Sequence, residues 1–395
     1  MKYERVEVGY NLVHYMISGG EKKPVYINIY QFGIFPLIAP SRRGKSAWLK
    51  DVITKLFYIS RRPIIIFDIN NEWNYCLSRP NWNAENPLRV IGINKITNYA
   101  IKISDVDTPE DWKYIYPEMT RSVAEALCMV ATKGWIYHQD DPDEFFNICK
   151  DFPVSKEEMI TWKERYPEID LGTPDFTQVK KSLIQKTRVL KERFYGSSTC
   201  ESNGTIYIDD WVDEIKNSKL TTIDMQIKSY KPDAFECFMV GKILEYLCIY
   251  LEKIKPIIVF EEGDYVCGMP IKNMNDEKNN TKSADMILFM AKKVGKKGVF
   301  MFILSQNDMM LHYELRRDDN QGLFMEIGES DNKTKHNAWI KKVVKYKSFN
   351  LLKGNRPFLL YDTMRGIYMS DPIVIKTNEP CCTYETQGVD FNKED

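Results

Sequence analysis

The chain has 395 residues, 44% of them apolar and 13% aromatic, enough for one large domain or two modest ones with a sizeable core. That content excludes wholesale disorder. Lysine plus arginine balances aspartate plus glutamate at 55 each, which excludes a protein that coats nucleic acid over its whole surface but leaves room for a basic patch or pore loop.

The chain opens Met1-Lys2-Tyr3-Glu4-Arg5, without the apolar segment of a signal peptide. No apolar run approaches the ~18 residues of a membrane span. The expected setting is therefore the cytoplasm, the host's if the chain is viral. Residues 25–39 are rich in β-branched and aromatic types and broken by Gly33, so they read as two short strands. A helix is expected from about 44 to 59, then a strand at 63–69 whose unbroken apolar run marks burial on both faces. Residues 76–203 read as a mostly helical insertion between a first core segment, 1–75, and a second, 204–395. Helical patterns cover 109–131, 143–150, 155–165 and 175–194, with Trp82, Trp112, Trp135 and Trp162 as packing surfaces.

From 204 strands and helices alternate again. Strands are expected at 205–209, 220–224, 256–260 and 298–304, and helices at 232–253, 284–293 and near 308–317. The polar stretch 271–283 reads as a mobile loop, and the end of the chain, including 357–362 and 366–370, as β-rich. This alternation implies an α/β fold with a parallel-rich sheet covered on both faces. The nine cysteines form no CxxC pair and fit buried, reduced thiols. His14, His138, His312 and His336 lie far apart and form no metal-binding pattern.

The sharpest local signal is Ala39-Pro40-Ser41-Arg42-Arg43-Gly44-Lys45-Ser46, followed by Ala47. A phosphate loop needs backbone N–H groups turned inward, a lysine for the β- and γ-phosphates and a hydroxyl for magnesium. A helix starting there adds the positive end of its dipole. Ala39 stands where the usual motif has its first glycine. A second signal is the apolar strand ending in Glu261-Glu262. In P-loop ATPases the strand beside the phosphate loop ends in such a pair: one carboxylate, here Glu261, supports magnesium, and the next, Glu262, orients or deprotonates the attacking water. The strand 298–304 leads to Ser305-Gln306, and Gln306 is a candidate contact to the γ-phosphate or the water. Asp68 and Asp224 also fall at strand ends, where open α/β sheets bind ligands.

Together these pieces resemble the HerA/FtsK superfamily of ring-forming, DNA-translocating ATPases, the HerA branch in particular. The matching blocks are the Gly44-Lys45-Ser46 loop, Asp68-Ile69-Asn70-Asn71-Glu72-Trp73, Glu261-Glu262-Gly263-Asp264, and Gly295-Lys296-Lys297 leading to Gln306. Asn71 replaces the family's glycine, Gly263-Asp264 its Ala-His, and Lys296 an arginine. The resemblance implies a RecA-like P-loop NTPase core, ATP and Mg2+ as cofactors, a hexameric ring, and a residue completing the neighbouring subunit's site. Lys296, Arg316 and Arg317 are candidates for that finger. It further implies a motor on double-stranded DNA, with a capsid, nuclease or other DNA-processing partner and no room for an N-terminal β-barrel. Lys272, Lys278, Lys282 and the lysines of 292–297 are candidate pore contacts. The alternative is an ATPase driving assembly or extrusion of a filamentous particle.

Overall fold

The computed structural model describes residues 3–30, 33–38, 45–69, 73, 89–92, 98–170, 180–181, 184, 205–207, 215, 218–224, 234–268, 271–272, 278–294, 298–306, 311–316, 322–326, 358–362 and 373–376. The chain begins with β1 (Tyr3–Asn11), a short α1 (Leu12–Ile17), β2 (Pro24–Tyr30) and β3 (Gly33–Ile38). Then come α2 (Lys45–Ile59), β4 (Ile64–Asp68), β5 (Arg89–Gly92) and β6 (Asn98–Ala100). A helical stretch follows: α3 (Pro109–Ile115), α4 (Arg121–Lys133), α5 (Trp135–His138), α6 (Pro142–Lys150) and α7 (Lys156–Arg165). The second half holds β7 (Thr205–Tyr207), β8 (Leu220–Asp224), α8 (Ala234–Ile254), β9 (Ile257–Phe260), α9 (Gly263–Val266), β10 (Ile271–Lys272) and β11 (Lys278–Asn279). It ends with α10 (Lys282–Phe289), β12 (Phe300–Ser305), β13 (Gly322–Glu326), β14 (Phe358–Asp362) and β15 (Ile373–Lys376).

One 11-stranded sheet runs in the order β2-β1-β15-β14-β13-β3-β12-β9-β4-β8-β5. From β13 to β5 every neighbouring pair is parallel. From β13 to β2 every pair is antiparallel, so hairpin-like strands extend one side of a parallel core. This is the α/β, parallel-rich architecture expected from the alternation of elements.

The strand pleat sorts the core. Successive residues point to opposite faces. Ile64 and Ile66 of β4, Ile257 and Val259 of β9, and Phe300 and Phe302 of β12 share one apolar cluster with Trp48, Val52 and Leu56 of α2. Ile65, Phe67, Ile258, Phe260, Met301 and Ile303 share the other with α8, α10 and the helical stretch from 101 to 169. Both faces of the central strands are therefore covered, which is why they read as unbroken apolar runs. The N-terminal ends of β4, β9 and β12 are tied by Arg62, whose guanidinium donates to the carbonyls of Lys255 (2.6 Å), Pro256 (3.1 Å) and Gly298 (3.0 Å).

Several expectations change. The strand carrying Glu261 and Glu262 does not lie beside β3: β12 pairs with both β3 and β9 and separates them. The helix expected over 109–131 is two helices, because Pro117 follows Tyr116 and disfavours helical backbone there; Tyr116 is extended at φ −133. The helix expected over 284–293 starts at Lys282 and widens into a π turn over Met290–Val294. Near 308–317 the described helix is a single 3-10 turn, Tyr313–Arg316. The loop expected over 271–283 has paired ends, β10 with β11. β7 pairs with β6 in a separate two-stranded sheet instead of joining the main one. β5 falls within the stretch expected as insertion and forms an edge of the main sheet. β1 and β13 were not anticipated, while β15 falls in the end of the chain expected to be β-rich. Residues 366–370, 208–209 and most of 175–194 lie outside the described residues.

Candidate functional site

The parallel strands bring their C-terminal ends to one edge. Ser305 is in register with Ile38, Ile303 with Phe260, and Phe67 with Phe260. Glu261 and Glu262, the end of β12, Asp68 and the head of α2 therefore share that edge.

α2 is held there by its own sequence. Trp48 stacks on Phe35 of β3, meets Phe302 of β12 edge-on, and donates its indole N–H to the carbonyl of Val8 at 3.0 Å. The packing fixes the first turn of the helix, which carries Lys45, Ser46 and Ala47. Lys45 is buried, and Ser46 and Ala47 are half-buried. Ala39, Pro40, Ser41, Arg42, Arg43 and Gly44 lie outside the described residues. They join the end of β3 to the start of α2, the strand–loop–helix position of a phosphate loop.

The acidic turn follows β9. Glu261 is buried at 2% exposure, its N–H directed at the Phe67 carbonyl (3.4 Å), while Glu262 is half-buried. The side-chain amide of Gln306 donates to Glu262, 3.3 Å from Oε1 and 3.5 Å from Oε2. The intervening β12 thus places its tip directly against the acidic pair, a contact that needed the strand order and was not legible from spacing.

Asp264 was not singled out from the sequence as a site residue, yet it joins this group. Its Oδ1 accepts from the Ser305 hydroxyl and its Oδ2 from the Gln306 N–H at 3.3 Å. Burial pushes its pKa up to about 6; the two hydrogen bonds and the Lys45 charge pull it down, and the Glu262 charge pushes it up. The available signal was an acid two residues past the pair, where the family has histidine. Gly263 is required at the turn: a Cβ there would stand 2.3 Å from Ile303 Cγ2 and 2.9 Å from the Leu304 carbonyl oxygen.

Asp68 is fully buried and accepts from the Trp73 N–H at 3.0 Å, which ties Trp73 to the end of β4. The Lys50 ammonium lies 5.6 Å over the Trp73 ring. Both Lys50 and Trp73 are buried, which joins Trp73 to α2. Asp224 ends β8 in register with Asp68.

The residues present suit Mg2+ carried in with a nucleotide. No group of three or more His, Cys, Asp or Glu side chains among the described residues could hold a metal by itself. Magnesium is commonly held by one or two protein oxygens plus phosphate oxygens. Ser46 and the buried Glu261 supply hard oxygens of that kind.

Other candidates are placed differently. Lys282 is not available for a pore: its ammonium meets Asp111 at 3.0 Å and Glu245 at 3.2 Å, with only 12% of the side chain exposed. Lys292 is ion-paired with Glu314. Lys272 and Lys278 stand opposite one another across β10 and β11. Lys296 and Arg317 lie outside the described residues, and Arg316 ends the 3-10 turn. Cys149, Cys237 and Cys267 are buried free thiols, and burial raises their pKa values, that of Cys237 to about 12. No described helix is long and apolar enough to cross a membrane.

No protein-family model matches the sequence, and no curated protein matches it. Solved structures do. The bacterial conjugative coupling protein TrwBdeltaN70, in its trigonal form with sulphate, aligns at a TM-score of 0.60 and 11% identity, over 98% of this chain and 97% of that one. VirB4 of Thermoanaerobacter pseudethanolicus aligns at 0.52 and 13% identity, over 94% and 96%. The genome packaging NTPase B204 of Sulfolobus turreted icosahedral virus 2, in complex with ATP-gammaS, aligns at 0.39 and 12% identity, over 88% and 99%, too loosely to carry an argument. The fold is thus shared with TrwB and VirB4, a RecA-like P-loop NTPase core, as the HerA/FtsK resemblance implies.

Proposed function

We propose, from that fold and that sheet edge, that the chain hydrolyses ATP and uses the energy to move double-stranded DNA as a hexameric ring. The observation that supports the reading is the Gln306–Glu262 contact at the C-terminal ends of the parallel strands, where the charge of Lys45, at the head of α2, also acts on Asp264 of the same acidic turn. In this reading Lys45 binds the β- and γ-phosphates, with the backbone of 39–44 around them. Ser46 and Glu261 would hold Mg2+, which would neutralise phosphate charge. Glu262 orients a water and takes its proton as the water oxygen bonds to the γ-phosphorus. The bond from that phosphorus to the bridging oxygen breaks, and ADP and phosphate leave. Gln306 steers Glu262 and the water through its amide.

The DNA part of the proposal rests on the HerA/FtsK resemblance and on the β10–β11 hairpin. Like charges directly opposite one another across two strands repel, and Lys272 and Lys278 occupy such positions. A phosphate backbone alongside would offset that repulsion. Lys296, Arg316 or Arg317 completes the neighbouring subunit's site in the ring, so turnover per subunit rises with protein concentration. A capsid, nuclease or other DNA-processing protein is the expected partner.

The test is ATPase activity with and without double-stranded DNA across a salt series. We expect DNA of any sequence to stimulate turnover, and the effect to fall as salt rises because binding releases counterions. Charge-neutralising Lys272 and Lys278 together should reduce the stimulation and leave basal hydrolysis intact. Basal hydrolysis with no DNA binding at low salt would reject DNA transport in favour of protein assembly. A strict monomer by light scattering, with concentration-independent turnover, would reject the ring.

A further inference from the structure

Glu262 and Asp264 lie on one turn and hold two parts of one residue. Glu262 accepts from the Gln306 side chain, and Asp264 accepts from the Gln306 backbone N–H and from the neighbouring Ser305 hydroxyl. The turn and the tip of β12 are in van der Waals contact because Gly263 has no side chain to separate them. Ser305 is fully buried and Gln306 exposed, so the end of β12 is held on Asp264 through the Ser305 hydroxyl and the Gln306 N–H, and the glutamine side chain projects from there. An amide on a projecting residue reaches a fixed carboxylate only if the backbone beneath it is held. Asp264 supplies that hold from the same turn that carries the carboxylate.

We infer that Asp264 is a positioning residue for hydrolysis: by gripping Ser305 and the Gln306 N–H it sets the Gln306 amide against Glu262. The inference rests on the proposed ATPase reading and adds to it a residue outside the phosphate loop and the acidic pair. Asp264 touches neither nucleotide nor water in this role; it acts through Gln306. Its negative charge is not required. An asparagine keeps both contacts, its carbonyl oxygen accepting from the Gln306 N–H and its amide donating to Ser305 Oγ.

The experiment compares steady-state ATP hydrolysis and nucleotide binding in wild type, Asp264→Ala, Asp264→Asn, Ser305→Ala, Gln306→Ala and the Asp264→Ala, Gln306→Ala double variant. Misplacing a catalytic group by about 1 Å costs up to roughly 100-fold. We therefore expect Asp264→Ala to lower kcat about tenfold or more, with ATP affinity unchanged within about twofold and Asp264→Asn close to wild type. In the Gln306→Ala background the Asp264→Ala change should have no further effect, the signature of two residues acting as one unit. Should Asp264→Ala fail to fold, Ser305→Ala removes one grip from the strand side, and its smaller loss of kcat should likewise vanish without Gln306. Wild-type kcat in Asp264→Ala, or losses that multiply in the double variant, would overturn the inference and leave the ATPase reading standing. A wild-type protein that binds nucleotide but hydrolyses none would overturn the ATPase reading itself.

Discussion

Two clusters of charge in this molecule are built on opposite principles. At the sheet edge, Glu261, Glu262 and Asp264 crowd within four residues of one turn, and burial raises the Asp264 pKa to about 6. Between the helices, the Lys242 ammonium meets Asp111 at 2.9 Å, Glu245 at 3.2 Å and Asp107 at 3.4 Å, and Lys282 shares Asp111 and Glu245. Burial works to strip Lys242 of its proton, but the charge and hydrogen bond of Asp111, with Glu245 and Asp107, outweigh it and raise its pKa above the ordinary lysine value. In the first cluster Glu261 and Glu262 supply carboxylates suited to a cation and to water, while Asp264 grips the end of β12. The second pairs opposite charges on α3, α8 and α10 and fastens the helical stretch to the core. Close approach reinforces it, since a Cβ on Gly241 of α8 would stand 2.3 Å from Lys282 Cγ.

Substitutions of Lys45 and Glu262 at the edge should therefore change turnover and spare stability, while those between the helices should do the reverse. Lys45→Ala should reduce phosphate release to background and strongly weaken nucleotide binding, because the β- and γ-phosphates lose their cation. Glu262→Gln should still bind ATP but hydrolyse it roughly 10²–10⁴-fold more slowly, with a nearly unchanged melting temperature. A rate within a factor of about two of wild type would remove Glu262 from its assigned role. Asp111→Ala leaves the buried Lys242 ammonium and the partly buried Lys282 ammonium short of a main partner and should cost about 3–5 kcal/mol in denaturant unfolding, with turnover per folded molecule retained. If Asp111→Ala instead abolishes turnover at full stability, the division between the two clusters is wrong.

Smaller effects sharpen the boundary. Gly263→Ala should cost about 1–3 kcal/mol by overpacking against β12. It should also slow hydrolysis, because the same turn carries Glu262. In the helical stretch, His138 is buried, with Nε2 3.1 Å from the Ala131 carbonyl oxygen and Nδ1 accepting from the Asp140 N–H at 3.0 Å. Burial lowers its pKa; the backbone contacts to Ala131 and Val130 and the charges of Asp140 and Asp141 oppose the shift. The unfolded chain therefore takes up this proton first as pH falls below ~6.5. The stability His138 contributes as a neutral ring is present above that pH and lost as pH falls toward the folded pKa. Melting temperatures between pH 7 and 5 should decline less steeply in His138→Gln than in wild type. An unchanged slope would show that another group carries the dependence.

Local chemistry made the elements and many of the site residues legible in the sequence. Unbroken apolar runs marked β4, β9 and β12 as doubly covered strands, because a strand between two layers needs no polar face. Gly44-Lys45-Ser46 before a helix, and Glu261-Glu262 after an apolar strand, each marked a candidate for phosphate chemistry from adjacent residues alone. Strand order was different, since it depends on which strands pair and no local spacing encodes that. Only the tertiary structure put β12 between β3 and β9, and that placement brings Gln306 to Glu262 and gives Asp264 its partners. It likewise turned Lys282 from a candidate pore lysine into a partner of the buried Asp111, 171 residues away along the chain. A charged side chain's role is set by what lies across from it, and contacts between distant segments exist only once the chain has folded.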